Sequence, residues 1–397
     1  MYDAIVVGTR VAGAPTAMLL ARRGLKVLAV DRARFPSDTL STHQVQVPGV
    51  ARLARWGLLE QLGRTPRTRR VRFDPGPVVL EGMWPAVDGT DALMSPRRTL
   101  LDAALVDAAR EAGAEVREGC AVDELLFEDG RVTGVRSGSL RERARVVVGA
   151  DGRHSRVAKA VGAAAYHVVP ARSVGYYTYW SGVHLDGGEM YARERRMIGA
   201  WPTNEGLVMT YVAAPADEFG AFRADPQGSL LRSLDLACDL GERARAGERA
   251  DRVYGTADTG GRFHVPFGPG WALVGDAGLR MDPITGHGIA DAFRDAEWLA
   301  EAIAGERSFA DYRARRDEAA LPMYEMTADL ARFAPLAPEQ LLLFEALEGR
   351  QADVDRFLGA LGGALPLREF FGPRNLLRLL GPRGMLKAGR ARRKMAA

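Results

Sequence analysis

The chain has 397 residues, 47% of them hydrophobic and 26% charged, with a formal net charge of +4. That is too long for one growing core, so two closely packed domains are expected, and no run approaches the ~20 apolar residues of a membrane span. The N-terminus passes straight into a strand, which predicts no signal peptide, and Cys120 and Cys238 form no disulfide framework or metal motif. A reducing, cytoplasmic setting and a metal-free protein are expected.

The basic balance invites a nucleic-acid reading, but only four of the 54 basic residues are lysines: Lys26, Lys159, Lys387 and Lys394. The clusters at 67–72 and 193–196 carry no recognisable nucleic-acid motif, so nucleic acid is set aside as a partner. The tail Arg390–Lys394 reads as a solvated end.

In chain order, Asp3–Val7 is a short apolar run ending at glycine, and Lys26–Val30 is a second ending at Asp31. Between them Ala14–Arg23 has helical spacing and stops at Gly24. This is a strand–helix–strand unit of the size that binds dinucleotides. Helices are predicted over Val47–Leu62 and Arg98–Ala112, and strands at Glu115–Arg117, Asp123–Phe127, Val132–Arg136 and Ala144–Val148, with Asp129-Gly130 as a hairpin turn.

From Tyr166 to Pro266 aromatics become frequent and alternation replaces helical periodicity, which predicts a mainly antiparallel sheet. Trp271–Val274 returns to a buried strand, Gly288–Ala304 is an amphipathic helix, and the remainder from Phe309 is helical and proline-broken. The expected architecture is α/β (α+β). A Rossmann-like domain spans 1–165, with an insertion near 64–97, and resumes at 267–335. It is interleaved with a sheet domain at 166–266 and followed by a helical region at 336–397.

Three glycine-bearing segments carry the chemistry: Gly8–Gly13, Gly149–Ser155, and Gly275-Asp276 followed by Asp282–Gly288. In the first, Gly8 permits the turn out of the strand and Gly13 lets the helix pack against it. A pyrophosphate would sit on N–H groups at Ala12 and the helix start. The usual middle glycine is Arg10, whose guanidinium could bind phosphate directly. Asp31, with Arg32 beside it, is placed to accept from ribose hydroxyls. In the second, Asp151-Gly152 follows a strand end where ligands bind, although Asp151 as a turn former and Ser155 as a helix cap are equally open. In the third, Asp276 would accept from a ribityl chain and Pro283 stiffens the loop. Gly286, Gly288 and Ile289 would present bare backbone at a helix N-terminus to the negative edge of a reduced isoalloxazine.

On these segments the chain resembles the FAD-dependent monooxygenases of the para-hydroxybenzoate hydroxylase class, related to geranylgeranyl reductases and flavin halogenases. The resemblance covers nearly all of residues 1–330. It implies that Arg98 binds the pyrophosphate or ribityl side, that His43 stands where the family often has an arginine against FAD, and that main chain near Val122 meets the adenine. The halogenase signature Gly-Trp-x-Trp-x-Ile is absent, which sets halogenation aside. There is no second glycine fingerprint, which the class does not need in order to use NADPH or NADH.

The implied reaction is oxygenation of a bulky apolar or aromatic small molecule by O2 through a flavin C4a-hydroperoxide, the flavin being reduced by NAD(P)H. Reduction of C=C bonds and non-catalytic flavin binding are the alternatives. His287 would lie beside the flavin ring, as a catalytic candidate or as loop packing, while His154 and His264 read as structural. Tyr177, Tyr179 and Ser181 share one strand face, opposite Tyr176, Thr178 and Trp180. One face is expected to be core and the other to line a substrate pocket, extended by Met190, Trp201 and Met209.

Overall fold

The computed structural model describes residues 1–396, with side chains through Lys387; the side chains of Arg390–Lys394, expected to form a solvated end, lie outside the described residues. Tyr2–Val7 is an apolar run buried on both faces, as a central parallel strand must be. It pairs in parallel with Val27–Asp31 on one side and Leu140–Gly149 on the other. Glu115–Glu118 and Trp271–Leu273 extend this sheet in parallel at its two sides. The helices Gly13–Ala21, Arg98–Glu111 and Gly288–Ile303 cover one face, joining Met18, Leu20, Leu101, Leu105, Phe293 and Leu299 in one core. A hairpin of Glu124–Glu128 and Arg131–Ser137 runs on from the sheet through the first half of Leu140–Gly149.

The second sheet is ordered Glu248–Arg249, Ser173–Ser181, Val208–Pro215, Arg196–Pro202, Gly188–Arg193, Arg70–Asp74 and Leu80–Met83. All its pairings are antiparallel except Gly188–Arg193 with Arg70–Asp74, so the segment after residue 64 joins strands more than a hundred residues downstream. Its two faces separate by strand alternation. Tyr177, Tyr179, Trp201, Met209 and Tyr211 face the C-terminal helices Pro338–Leu347 and Gln351–Leu361. Tyr176, Trp180, Tyr191 and Val212 face Phe222, Leu230 and Leu234.

The latter three belong to helices Phe219–Ala224 and Pro226–Leu234, which with Leu240–Ala246 interrupt the stretch expected to be mainly sheet. They exist because this sheet is covered on both sides. Helix Val47–Trp56 stops short of the expected Leu62 because Gly57 adopts φ 80° and closes it.

One buried strut ties the second sheet to the first domain. His43 is fully buried, with φ 57°, and its Nδ1 accepts from the Arg98 N–H at 3.1 Å. Its Nε2 therefore carries the proton in the neutral ring and donates to the Tyr179 hydroxyl. The Arg97 guanidinium lies 3.9 Å over the Tyr179 ring. Burial, then the charges of Arg98 and Arg97, hold the His43 pKa well below its ordinary value.

Two predictions test this framework. A Cβ on Gly13 would stand 1.7 Å from the Gly8 carbonyl oxygen. Gly13→Ala should therefore cost at least about 2 kcal/mol of stability, and an unchanged melting temperature would refute the packing. His43, His264 and His287 all have lowered pKa values, chiefly through burial. As pH falls through about 6.5 the unfolded chain takes up protons that the folded chain refuses, so stability is full above that pH and is lost below it. Urea midpoints should fall from pH 7.5 to 5.5, and by less in His43→Gln, at about 1.4 kcal/mol per pH unit for each such histidine. Equal pH slopes in the two proteins would remove His43 from this account.

Candidate functional site

All three glycine segments open onto one cavity of about 620 Å³, within the ~300–1,000 Å³ range of cofactor sites. It starts at Asp31, Arg32 and Val122, passes Gly8, Arg10, Ala12, Arg98 and Asp151, and ends among Asp276, Pro283, Gly286, Gly288, Ile289, Tyr177 and Tyr211. It therefore runs along the carboxyl ends of the parallel strands, where open α/β sheets bind ligands.

At the first segment the close approaches are between backbones. Gly8 has φ 94°, and a Cβ there would meet the Ala150 carbonyl oxygen at 2.5 Å. Gly13 does not reach the cavity; it lets the helix touch the strand. Ala12 precedes the helix and lies under Gly275, where a Cβ would be 2.6 Å from that of Ala12. Asp31 accepts from the Thr9 N–H at 2.7 Å and the Ala33 N–H at 2.8 Å, which fixes the carboxylate at the cavity wall beside Arg32.

Arg10 differs from the expectation that it binds phosphate with a free guanidinium. Its Nη1 donates to Asp102 at 2.5 Å and to the Ser37 carbonyl at 3.2 Å, and its Nη2 to Ser37 Oγ at 2.9 Å and the Asp38 carbonyl at 3.2 Å. Arg98 donates to both oxygens of the same Asp102, at 3.0 and 3.1 Å. Both arginines line the cavity wall, and Asp102 anchors the guanidinium of each. No sequence pattern marks Asp102, which is the fifth residue of a regular helix.

Asp151 takes the turn-forming role. It accepts from the Arg156 N–H at 2.7 Å and from the Ser155 hydroxyl at 2.5 Å, and Ser155 caps the helix Arg156–Ala160. Asp276 is the opposite case. Its carboxylate accepts no hydrogen bond from protein among the described residues, its nearest cation being Arg153 Nε at 4.0 Å. Although 41% exposed, it opens to the cavity rather than to bulk solvent, and desolvation raises its pKa against the pull of Arg153 and Arg280. An unpartnered, desolvated carboxylate on a cofactor-sized cavity fits a ribityl chain of hydroxyl donors. Farther on, Asp282 accepts from the Ile284 N–H at 3.0 Å and bonds the Ser173 hydroxyl, shaping the loop that carries Pro283. Gly286 has φ 67°, and a Cβ there would strike Gln44 Oε1, while nothing stands within 4 Å of one on Gly288.

Several expected residues are placed elsewhere. His287 faces away from the cavity, bonding the Leu361 carbonyl through Nε2 at 2.8 Å and standing 3.0 Å from where a Cβ on Gly363 would be, so it belongs to the loop packing. His43 is not against the cavity; it is the strut to Tyr179. Tyr179, Trp201 and Met209 are buried in the core between the second sheet and the C-terminal helices, because that face, too, is covered. Of the proposed substrate wall only Tyr177 reaches the cavity. Tyr211, directly across the strand pair from it, and Gly175 complete the wall. The Tyr177 hydroxyl accepts from the Ser41 N–H at 3.2 Å and its ring stacks on Tyr254 at 5.1 Å. Sequence reasoning also passed over the loop Thr39–Thr42, Gln44, Arg153, Asp258 and Met281, all of which line the cavity. The cross-strand register that joins Tyr177 to Tyr211 is not visible in a linear pattern.

Comparison with known proteins agrees with this geometry. Residues 1–226, more than half of the chain, match the family described as FAD binding domain. A probable electron transfer flavoprotein-quinone oxidoreductase of Escherichia coli, YdiS, is 30% identical over 268 residues, covering 62% of this chain and 56% of that protein's length. A digeranylgeranylglycerophospholipid reductase of Methanosarcina acetivorans is 26% identical, covering 78% and 75% respectively. Among solved structures, the flavin-dependent brominase Bmp2 superposes with a TM-score of 0.76 at 19% identity, covering 91% of this chain and 93% of its own. PqsL, a probable FAD-dependent monooxygenase of Pseudomonas aeruginosa, superposes with a TM-score of 0.69 at 21% identity, covering 89% and 99%. At these identities the structures show the fold. The long cavity, its three glycine segments and the family match together make this chain a member of the FAD-binding oxidoreductase family.

Proposed function

We propose that the chain is an NAD(P)H-dependent FAD monooxygenase that oxygenates a bulky apolar or aromatic small molecule with O2. The observation that carries this reading is the far end of the cofactor cavity. There the open backbone of Gly286–Gly288 faces a wall of Gly175, Tyr177 and Tyr211 under the loop Thr39–Thr42. When bound, FAD supplies the hydride acceptance and oxygen chemistry; the protein supplies position and a dry surrounding.

Each wall residue has a physical part. Asp31 and Asp276 accept from ribose and ribityl hydroxyls, and main chain near Val122 borders the adenine. The N–H groups at the start of Gly288–Ile303, at the positive end of a helix, stabilise negative charge on a reduced ring. Burial pushes the Tyr177 hydroxyl up to about 12, so at neutral pH it is a neutral hydrogen-bonding wall and not a base. The ring end is thus built to orient and to exclude water, with no nucleophile or acid–base pair.

A second reading, reduction of C=C bonds, is supported by the name of one sequence relative, a digeranylgeranylglycerophospholipid reductase. The two readings share the hydride step and part at oxygen. The fold likeness to a brominase adds no activity, since Gly-Trp-x-Trp-x-Ile is absent.

Two measurements test this assignment. Asp276→Ala should bind FAD at least about tenfold more weakly, because a buried hydroxyl chain loses its acceptor; full flavin occupancy after purification would remove Asp276 from the site. The wild-type protein, photoreduced without air and then mixed with oxygenated buffer, should reoxidise rapidly. NAD(P)H consumption should rise with an aromatic or polyketide substrate that gains one oxygen atom. Slow reoxidation with saturation of an isoprenoid double bond would establish the reductase instead.

A further inference from the structure

The chain's basic character is confined to one end. Eight of its 54 Lys and Arg residues, and none of its 50 Asp and Glu residues, lie within residues 370–397, so everything before them carries a net charge of −4. The segment is built on the helix Pro373–Ala396, which breaks at Gly381 (φ 66°, ψ 174°) before Pro382. Ahead of the break it is clamped: Leu379 is buried, Leu376 and Leu380 pack on the core of the second sheet, and Arg378 pairs with Asp353. The outward side is different. Arg374, Arg383 and Lys387 are exposed and form no ion pair among the described residues. Leu377 is 48% exposed and Leu386 is 64% exposed beside them.

Leucines and cations exposed together on both sides of this break suit an interface that is apolar within and negative at its surface. We propose that residues 373–387 dock this protein on an anionic lipid bilayer, Arg374, Arg383 and Lys387 meeting lipid phosphates and Leu377 and Leu386 entering the headgroup region. Each Lys or Arg near such a surface adds about 1 kcal/mol of attraction, or roughly fivefold in partition. The acidic remainder is repelled by the same surface, so the segment also sets the orientation. A single-stranded nucleic acid would need rings to stack on, and no aromatic residue follows Phe371. The docking is independent of the reaction assigned above; if that assignment holds, it brings the cavity to where apolar molecules dissolve.

The test is co-sedimentation of the full chain with phosphatidylcholine vesicles, with and without phosphatidylglycerol, without any turnover. Partition should rise at least about tenfold with the anionic lipid and fall as salt is added. Arg383→Ser with Lys387→Ser should lower it by roughly fivefold per charge removed, and Leu386→Ser should lower it on both vesicle types, all with the wild-type melting temperature. Equal partition to the two vesicles, no partition at all, unaltered partition of the charge variants, or tighter retention by a DNA oligonucleotide at matched salt would each overturn the proposal.

Discussion

The site depends on one buried carboxylate. Asp102 has no exposed surface and receives hydrogen bonds from Arg10 and Arg98 together. A lone carboxylate at that depth would be costly, and removing one partner of such a group typically costs about 3–5 kcal/mol. The pairing therefore decides geometry as well as energy. Arg10 stands where a glycine is usual in the phosphate turn, and a side chain there must be drawn aside. Asp102, Ser37 and Asp38 do that, which ties the first glycine turn to a helix ninety residues on and to the loop that follows the second strand. The departure from the glycine fingerprint and the buried carboxylate are thus two halves of one feature.

From that clamp the hydrogen-bonded chain continues outward along Arg98. Its guanidinium holds Asp102 while its backbone N–H is accepted by His43, whose other nitrogen meets Tyr179 of the second sheet. The cofactor domain and the sheet that forms the far wall are consequently registered through one neutral histidine. Tyr179 serves the site without touching the cavity, and Tyr177, two residues earlier on the same face, reaches it. Because that face also carries the C-terminal helices, of its aromatics only Tyr177 and Tyr211 reach the cavity, beside Gly175.

Much of this was legible in the sequence. The strand–helix–strand start, the Asp31 position, the strand Trp271–Leu273 and the helix Gly288–Ile303 follow from local periodicity and punctuating glycines, signals that a linear pattern preserves. The residues placed differently have long-range partners. Tyr179, Trp201 and Met209 lie on strands whose face the helices at 338–361 cover, and His43 and His287 are held by Arg98 and Tyr179 and by the Leu361 carbonyl. Asp102 was invisible for the same reason, since a mid-helix aspartate looks like a solvated one until its partners arrive from residues 10 and 98.

The acids along the cavity show how the fold divides labour among identical side chains. Asp31 and Asp151 accept from backbone N–H groups and so fix turns, Asp31 at the cavity wall, whereas the Asp276 carboxylate accepts no hydrogen bond among the described residues. Desolvation raises Asp276 and Asp282 alike, but Asp282 recovers stabilisation from Ser173 and the Ile284 N–H, and Asp276 has only distant arginines. A group left in that condition gains from hydroxyl donors that arrive with a cofactor, so the free energy withheld on folding becomes available for binding. Where an acid sits relative to free backbone N–H groups, rather than its identity, is what assigns it to architecture or to the ligand.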